Sequence, residues 1–377
     1  MANNQRRLEL DILRAIAIIL VMGRHTDDYV TSTALASTPK IIAEFLLIYH
    51  KGGWVGVDLF FVLSGFLISG LLFKEFRELG KVNIIRFLIR RGFKIYPAFW
   101  FLTIMSILVP LSGYIVQKQQ IICDLTYMQS YCFGIWRQSW SLAVEEHFYL
   151  LFALVIFILL SRKRFHDPFQ AIPKIVLFIG VTCLVLRIIT ASLHPYSWIA
   201  NYSPTHLRID SLAFGVLIGY YYHYKRSEFM VFASKYKILL IAGGILCLSI
   251  AFIFDYEIYP FMYTIGFTIL YLGSGSILIG MTAIHIPNNK ITRLLAYVGI
   301  QSYSIYLWHS AFDSFIINLL QYLRVVPVLS PTVHLLIYIP CGISLGILMA
   351  LVIEAPFLKL RDRLFPSRII RPVLVTP

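Results

Sequence analysis

The sequence predicts an all-α, polytopic integral membrane bundle of about ten transmembrane helices. The chain is 58% hydrophobic and only 14% charged, whereas soluble domains are about 45–50% apolar and about 25% charged. It contains a series of apolar runs of about 20 residues, the length that crosses a hydrocarbon core. Its basic residues lie mainly between alternate runs. These observations exclude a soluble globular enzyme and a disordered protein.

The predicted spans follow one another through short connections. They cover residues 10–30, 53–73, 95–117, 140–161, 175–193, 207–224, 238–254, 262–285, 299–322 and 333–355. Two shorter apolar stretches, 41–48 and 121–135, are typical of helices at the membrane interface. No connection is long enough for a separate soluble domain. We therefore expect one membrane domain over residues 1–357 and a short basic cytoplasmic tail over 358–377.

The basic residues orient this bundle. Of 33 Lys and Arg, 24 lie in the N-terminus, in alternate connections and in the tail, and 5 lie in the opposite connections. Lys and Arg favour the cytoplasmic side, so both termini are predicted to be cytoplasmic. The same distribution explains the net charge of +14 by topology, and no nucleic-acid partner is expected.

The first span carries Arg14 and His25 on one face. They are separated by eleven helical steps of about 100°, close to three full turns, and by a rise of about 16 Å. Arginine has a permanent charge that suits phosphate, and histidine exchanges a proton near neutral pH. The alternative is that Arg14 pairs with Asp11 and that His25 is an ordinary interface residue.

Three carboxylates lie near the outer side of the predicted bundle. Asp58 is at nearly the same depth as His25, and a carboxylate beside an imidazole fixes its tautomer. Glu145 and Glu146 open the fourth span and point about 100° apart, so at most one of them can face a given partner. Asp58 could instead lock two helices together, and one glutamate could face the headgroups.

Further ionisable residues lie within the spans, where charge is costly and normally paired. Arg208 and Asp210 begin the sixth span and Arg187 lies in the fifth, so cross-helix ion pairs are the simplest interpretation, with support of a polar substrate as the alternative. His309, in the ninth span, is either a core histidine or a substrate contact. Glu354 is expected to pair with arginines of the tail.

Arg91 and Lys94 are spaced i, i+3 where the third span is predicted to start. Most basic residues there anchor the membrane topology, but two cations at a helix entrance can also clamp a phosphate. Cys123 and Cys132 share one outer loop, where a disulfide can persist. No Cys/His cluster has zinc spacing, so no metal is expected.

These residues together resemble the acyltransferase-3 family of bacterial integral membrane acyltransferases, over about residues 7–364. Arg14 and His25 match its R/K-x10-H pattern. Further family-like blocks are GVDLFFVLSGF from Gly56, RRGFKIYP from Arg90, WSLAVEEHFYL from Trp140, the segment Arg208 to Gly215, and YSIYLWH from Tyr303. Two positions depart from the family: Lys94 and Ala355 stand where arginine is common.

The resemblance implies O-acylation of an extracytoplasmic carbohydrate at the bacterial inner (cytoplasmic) membrane, in contact with membrane lipid. The donor would be cytoplasmic acetyl-CoA or another acyl-CoA. The implied roles are donor binding for Arg14, Arg91 and Lys94, and catalysis for His25 as general base or transient acyl carrier. Asp58 and one of Glu145 and Glu146 would orient His25 or the sugar. No SGNH-hydrolase-like domain is recognised, so we expect this membrane domain to transfer the group itself or pass it to a partner.

Two other functions fit part of this pattern. A transporter or flippase of a lipid-linked sugar or organic anion would also have many helices and buried charges. It commonly has paired broken helices in two halves, which this sequence does not show. A non-enzymatic assembly partner would not need Arg14 and His25 on a shared face. The sequence does not specify the acceptor, the acyl chain or the oligomeric state.

Overall fold

In a computed structural model the chain forms a bundle of helices. The structure describes residues 7–26, 35, 38–109, 116–161, 167–317 and 331–366. The helices with described bounds are α1 (Leu8–Arg24), α2 (Lys40–Gly52), α3 (Val55–Leu79), α4 (Ile84–Leu108), α5 (Lys118–Leu125), α6 (Trp140–Ser161), α7 (Ile172–Leu193), α8 (Ile209–Tyr224), α9 (Arg226–Ile253), α10 (Phe267–Met281), α11 (Lys290–Ile300), α12 (Ser302–Ala311), α13 (Pro331–Met349) and α14 (Ala355–Leu364). No β-strand occurs over these ranges, which confirms the all-α class.

Six helical segments in the described ranges are long and apolar enough to cross a membrane. They are Val55–Leu79, Arg137–Ser161, Ile172–Leu193, Arg226–Ile253, Met262–Met281 and Leu336–Leu364. All six overlap predicted spans, so the chain is a multi-pass membrane bundle. The other four predicted spans do not contain a described helix that meets these criteria of length and hydropathy. For example, α1 and α8 have only 17 and 16 residues, and the ninth span continues past residue 317, outside the described residues.

The surface of this bundle is apolar where it faces away from the core. On α7, Leu177 and Phe178 are 69% and 72% exposed, and on α9, Ile238 and Leu246 are 75% and 71% exposed. Large exposed apolar surfaces of this kind are unfavourable in water. Contact with lipid tails removes that cost, so α7 and α9 form a lipid-facing side.

The third predicted span was placed too late in the chain. It was expected over 95–117, whereas α4 begins at Ile84 and ends at Leu108. Asn83 caps the helix by accepting a hydrogen bond from the backbone N–H of Arg86 at 2.9 Å. Arginine and lysine are good helix formers, so the helix runs through the basic segment. Arg91 and Lys94 therefore lie inside α4 and not at its start.

Glycines bring α1, α3 and α8 into backbone contact. A Cβ atom at Gly65 would lie 1.9 Å from the carbonyl oxygen of Leu212, and one at Gly215 would lie 2.1 Å from that of Val62. At Gly56 it would lie 2.3 Å from the carbonyl oxygen of Ala17. Such close approach between membrane helices requires small residues. It fixes α1 and α3, which carry Arg14 and Asp58, against α8, which directly follows Arg208.

Residues 116–139, which precede α6, form a compact cap on one end of the bundle. Cys123 and Cys132 form the expected disulfide within it. The indole N–H of Trp136 donates to the hydroxyl of Ser106, near the end of α4, at 2.8 Å. The cap is therefore covalently closed and anchored to the helix whose other end carries the basic residues.

Candidate active site

A cavity of about 240 Å³ lies between α1, α3, α4, α6 and α12. All three cations predicted to bind the donor, Arg14, Arg91 and Lys94, line it together with Glu145. Its other lining residues are Val57, Phe60, Phe61, Leu63, Ser64, Ile95, Ser141, Leu142, Tyr149, Ile300, Ser302, Tyr303 and Tyr306. The fold thus brings together charged side chains that are far apart in sequence.

Two of these cations have carboxylate partners. Arg14 forms an ion pair with Asp11 at 3.3 Å, as its i, i+3 spacing suggested, while still lining the cavity. Lys94 forms an ion pair with Glu354, whose second oxygen accepts from Ser304 at 3.0 Å. The expected pairing of Glu354 with the tail was therefore wrong. A π-helical turn over Ala350–Glu354 turns this carboxylate into the bundle, where it is 4% exposed.

Arg91 is the cation with the most open hydrogen-bonding capacity. Its guanidinium lies 5.6 Å from the centre of the Tyr149 ring. Within the described chain no hydrogen bond or ion pair engages it. A guanidinium carries five N–H donors in a planar fork, so Arg91 can present that fork to an anionic ligand in the cavity.

The adjacent glutamates of α6 point to different surroundings. Glu145 lines the cavity and accepts from the Tyr149 hydroxyl at 2.7 Å. Tyr149 in turn lies 2.6 Å from the hydroxyl of Ser64. Glu146 is not on the cavity wall. It is 6% exposed and accepts from the Tyr96 hydroxyl at 2.8 Å, so the acidic group that faces the cavity is Glu145.

His25 follows the last turn of α1, and its nearest aromatic partner is His309. The two ring centres are 5.1 Å apart. His309 is fully buried, and its Nδ1 lies 3.0 Å from the carbonyl oxygen of Ile305. A carbonyl can only accept, so Nδ1 carries the proton and Nε2 has a lone pair. In the described part of the chain that Nε2 has no hydrogen-bond partner.

Helix α12 connects the cavity to this histidine pair. Tyr306 lines the cavity and lies 2.6 Å from the Ser141 hydroxyl. His309 is one turn further along, with its ring centre 6.0 Å from that of Tyr306. His25 and His309 do not line the cavity themselves. They lie beyond its Tyr306 side.

Asp58 does not take the position beside His25 that its depth suggested. It is fully buried and accepts from Arg208 at 3.0 Å and from Ser211 at 3.4 Å. No described contact joins it to His25. Its partner is Arg208, directly before α8, because a carboxylate in a dry interior requires a cation. The side chain that lies next to His25 is His309 and not Asp58.

Arg208 and Asp210 belong to a buried network of four charges. Arg187 donates to Asp210 at 2.7 Å, and Arg208 donates to Asp58. The Arg208 guanidinium also lies 3.8 Å from the centre of the Phe267 ring. These contacts confirm the cross-helix ion pairs expected from the sequence. These ion pairs hold α3, α7 and the start of α8 together.

The hydroxyl groups of the cavity were not among the residues predicted from the sequence. Ser64, Tyr149, Ser141, Tyr303 and Tyr306 line it, and Tyr306 also donates to the backbone carbonyl of Gln138 at 2.8 Å. Two features of the sequence could have identified these tyrosines. Tyr149 follows Glu145 at i, i+4, a spacing at which side chains on a helix meet. Both other tyrosines belong to the block that contains His309.

A second, strongly basic groove adjoins the cavity. It has a volume of about 370 Å³, and Arg91 and Lys94 line both spaces. Its remaining lining residues are Leu71, Leu72, Glu75, Arg86, Phe87, Arg90, Leu358 and Arg361. Among the described lining residues there are five cations and one carboxylate, and Asp362 beside the groove pairs with Arg90 and Arg361. The remaining excess of positive charge suits a polyanion.

The cap holds one carboxyl group with an unusual environment. Asp124 is fully buried. Its Oδ2 accepts from the backbone N–H of Ile135 at 3.3 Å, and its Oδ1 has no hydrogen-bond partner among the described residues. Burial raises the pKa of Asp124 to about 7. Elsewhere, among the described residues, no three His, Cys, Asp or Glu side chains are grouped to hold a metal ion.

The described chain is thus a helical membrane bundle with a cationic cavity and a histidine pair near it. The family model described as "Acyltransferase domain", that of the acyltransferase-3 family, matches residues 7–353. The chain therefore belongs to this acyltransferase family, as the sequence motifs indicated.

Its curated relatives include named O-acetyltransferases. The chain is 28% identical over 333 residues to the peptidoglycan O-acetyltransferase OatA of Listeria monocytogenes, covering 80% of this chain and 48% of that protein. It is 27% identical over 299 residues to the O-acetyltransferase OatA of Staphylococcus aureus (strain NCTC 8325 / PS 47), covering 70% and 47%. The chain thus spans about half the length of these relatives. No solved structure matches it.

Proposed function

We propose that this protein is a membrane O-acyltransferase of the bacterial inner membrane. It transfers an acyl group, most simply acetyl, from cytoplasmic acyl-CoA to a hydroxyl of an extracytoplasmic carbohydrate. The observation that carries the proposal is the convergence of Arg14, Arg91, Lys94 and Glu145 on one cavity. A cationic site beside a histidine pair has the two chemical parts that acyl transfer from a phosphorylated thioester requires.

The donor is assigned to the cavity and the basic groove beside it. Acyl-CoA carries several phosphates at one end and its thioester at the other. The groove lined by Arg86, Arg90 and Arg361 would take the phosphates. Arg91 would contribute its open guanidinium fork where groove and cavity meet. Lys94 is already paired with Glu354, so its contribution is the smaller of the two.

The reaction itself is assigned to His25. Its imidazole removes the proton from the acceptor hydroxyl, the oxygen attacks the thioester carbonyl, and the carbon–sulfur bond breaks. The departing CoA thiolate takes the proton back from the imidazolium. The general base is thereby regenerated, and the products are an ester and free CoA thiol.

His309 is proposed as the positioning residue for His25. Its Nε2 has a lone pair without a described partner, and its ring lies 5.1 Å from that of His25. By accepting the N–H of His25, it would hold that imidazole in the tautomer whose other nitrogen faces the acceptor. This is the role that a carboxylate has in acyl-transfer triads, and it replaces the role expected for Asp58.

The relatives support the choice of acetyl and of a cell-envelope acceptor. One is named a peptidoglycan O-acetyltransferase and the other an O-acetyltransferase. The basic side of the bundle supports a cytoplasmic donor end. The disulfide of the cap supports an opposite end in an oxidising compartment.

The proposal is tested by measuring free CoA thiol released from acetyl-CoA by the protein in nanodiscs. Cell-surface glycan extract serves as acceptor, and His25→Ala is the comparison. Glycan-dependent release by the wild type, reduced about 10²–10⁴-fold in the variant, is expected. Full release by a correctly folded His25→Ala protein would contradict the role of His25. No release from any acyl-CoA would contradict the proposed activity.

A further inference from the structure

We infer that a groove on the cap binds the saccharide acceptor, an inference that rests on the proposed function. The groove has a volume of about 530 Å³ and lies at the end of α4 away from the basic groove. It is lined by Gln117, Gln119, Gln120, Tyr131, Cys132, Phe133, Gly134, Ile135, Arg137 and Ile199. No residue of the catalytic proposal belongs to it.

The chemistry of the groove suits a neutral, polyhydroxylated chain. Side-chain amides both donate and accept hydrogen bonds, and Gln119 presents an exposed amide on the rim. Tyr131 and Phe133 are 42% and 53% exposed, and flat aromatic faces pack against the C–H faces of sugar rings. Arg137 is the single charged residue in the lining. A groove for nucleotides or acidic headgroups would need several cations.

The walls of the groove are held in place before any ligand arrives. The disulfide joins Cys132 in the lining to Cys123 behind it. The Gln120 amide donates to the carbonyl of Gly134 at 3.3 Å. The Tyr131 ring stacks on His206, with an angle of 9° between the rings and a hydrogen bond of 3.2 Å. Preorganised contact groups of this kind reduce the entropic cost of binding.

The groove is also connected to the wall of the cavity. Arg137 lies in its wall, 4.5 Å above the centre of the Trp198 ring. The next residue, Gln138, accepts a hydrogen bond from Tyr306 of the cavity. The groove thus adjoins the histidine side of the cavity wall.

The distance between the groove on the cap and the basic groove can be estimated from the length of α4 between them. The cap is bonded to Ser106 through Trp136, and Arg90 of the basic groove lies sixteen residues earlier on the same helix. At about 1.5 Å per residue that separation is about 24 Å. Donor phosphates and acceptor saccharide would therefore enter from opposite ends and meet near His25.

The inference is tested by direct binding to the protein in nanodiscs without acyl-CoA. The probes are chitopentaose, cellopentaose and a dextran pentasaccharide, and affinity is measured by titration calorimetry. We expect at least one probe to bind, with about tenfold weaker binding in Tyr131→Ala and in Phe133→Ala, as for loss of an aromatic anchor. Tyr259→Ala is the matched control, because Tyr259 is 43% exposed and lies outside the groove; its affinity should equal that of the wild type.

Three outcomes would overturn the groove as an acceptor site. One is unchanged affinity in both groove variants, and another is an equal loss in Tyr259→Ala. The third is binding of no probe by a protein that still releases CoA thiol with glycan extract, which would leave the proposed function standing. If the two aromatic residues are lipid contacts instead, their replacement should change the affinity of the protein for lipid vesicles and not for saccharides.

Discussion

At the scale of single residues, Glu145 and Glu146 illustrate how one peptide step changes the chemistry available to a carboxylate. Glu145 faces the cavity and holds Tyr149, while Glu146 is held by Tyr96 on the other side of α6. The angular step of about 100° per residue separates them. Which of the two meets the cavity depends on how α6 is rotated against its neighbours, and no local pattern specifies that rotation.

We predict that Glu145→Gln lowers kcat/KM for acyl transfer by about 10–100-fold, because it removes the only described carboxylate on the cavity wall facing Arg91. Glu146→Gln is the matched control and should retain most activity. Thiol release with varied acyl-CoA measures both. Equal losses in the two variants would contradict the assignment of Glu145 to the site.

We predict that His309→Ala lowers kcat by about 10²-fold through loss of the correct His25 tautomer. The KM for acyl-CoA should stay unchanged, because His309 does not line the donor cavity. A purely structural histidine would change stability and leave the pH dependence of kcat as in the wild type. A positioning residue shifts that dependence, so a pH profile of thiol release separates the two.

At the scale of helices, the tight packing of α3 against α8 surrounds the Asp58–Arg208 pair with protein. Neither side chain is exposed to solvent. Buried ion pairs cost desolvation free energy, but breaking one leaves an uncompensated charge, which is worse. The pair therefore fixes how α3 and α8 fit together and contributes to the site only through that geometry.

We predict that Arg208→Met lowers the free energy of unfolding by about 3–5 kcal/mol. Adding Asp58→Asn should recover part of that loss, because it removes the carboxylate that Arg208→Met leaves unpaired. Thermal unfolding of the wild type, both single variants and the double variant in nanodiscs gives the coupling free energy. Strictly additive effects would contradict the buried pair.

The cap has its own dependence on pH. The raised pKa of Asp124, about 7 against an ordinary 3.8, means that the folded cap binds a proton that the unfolded cap has released. Cap stability should therefore fall as the pH rises from about 4 to about 7. Hydrogen exchange of residues 117–137, corrected for intrinsic rates, should show weaker protection at pH 8 than at pH 5. Asp124→Asn should remove that difference; an unchanged difference would contradict the assignment to Asp124.

The helices were easier to predict than their contacts. Apolar length identified the six segments that meet the spanning criterion, because hydrocarbon thickness sets helix length. The start of α4 was missed because charge ended the apolar run while the helix continued. Helical geometry predicts a shared face for Arg14 and His25, but His25 follows the end of α1 and does not line the cavity that Arg14 lines. The proximity of His25 to His309 was not predicted, because it depends on how helices distant in sequence pack.

At the scale of the whole molecule, charge and redox chemistry divide the bundle into two ends. Cations concentrate in the groove at the start of α4, and the disulfide-bonded cap lies beyond the end of the same helix. The cavity and the histidine pair lie between them. The proposed transfer of an acyl group between two compartments would then need no movement of the whole donor.

The most direct test uses proteoliposomes with the protein in one orientation, verified by thiol labelling of the cap after reduction. Glycan is sealed in the lumen on the cap side, and radiolabelled acetyl-CoA is added outside. We expect acetylated glycan in the lumen, lost in His25→Ala and strongly reduced in Arg91→Gln. Labelling only of glycan supplied on the same side as acetyl-CoA would contradict it.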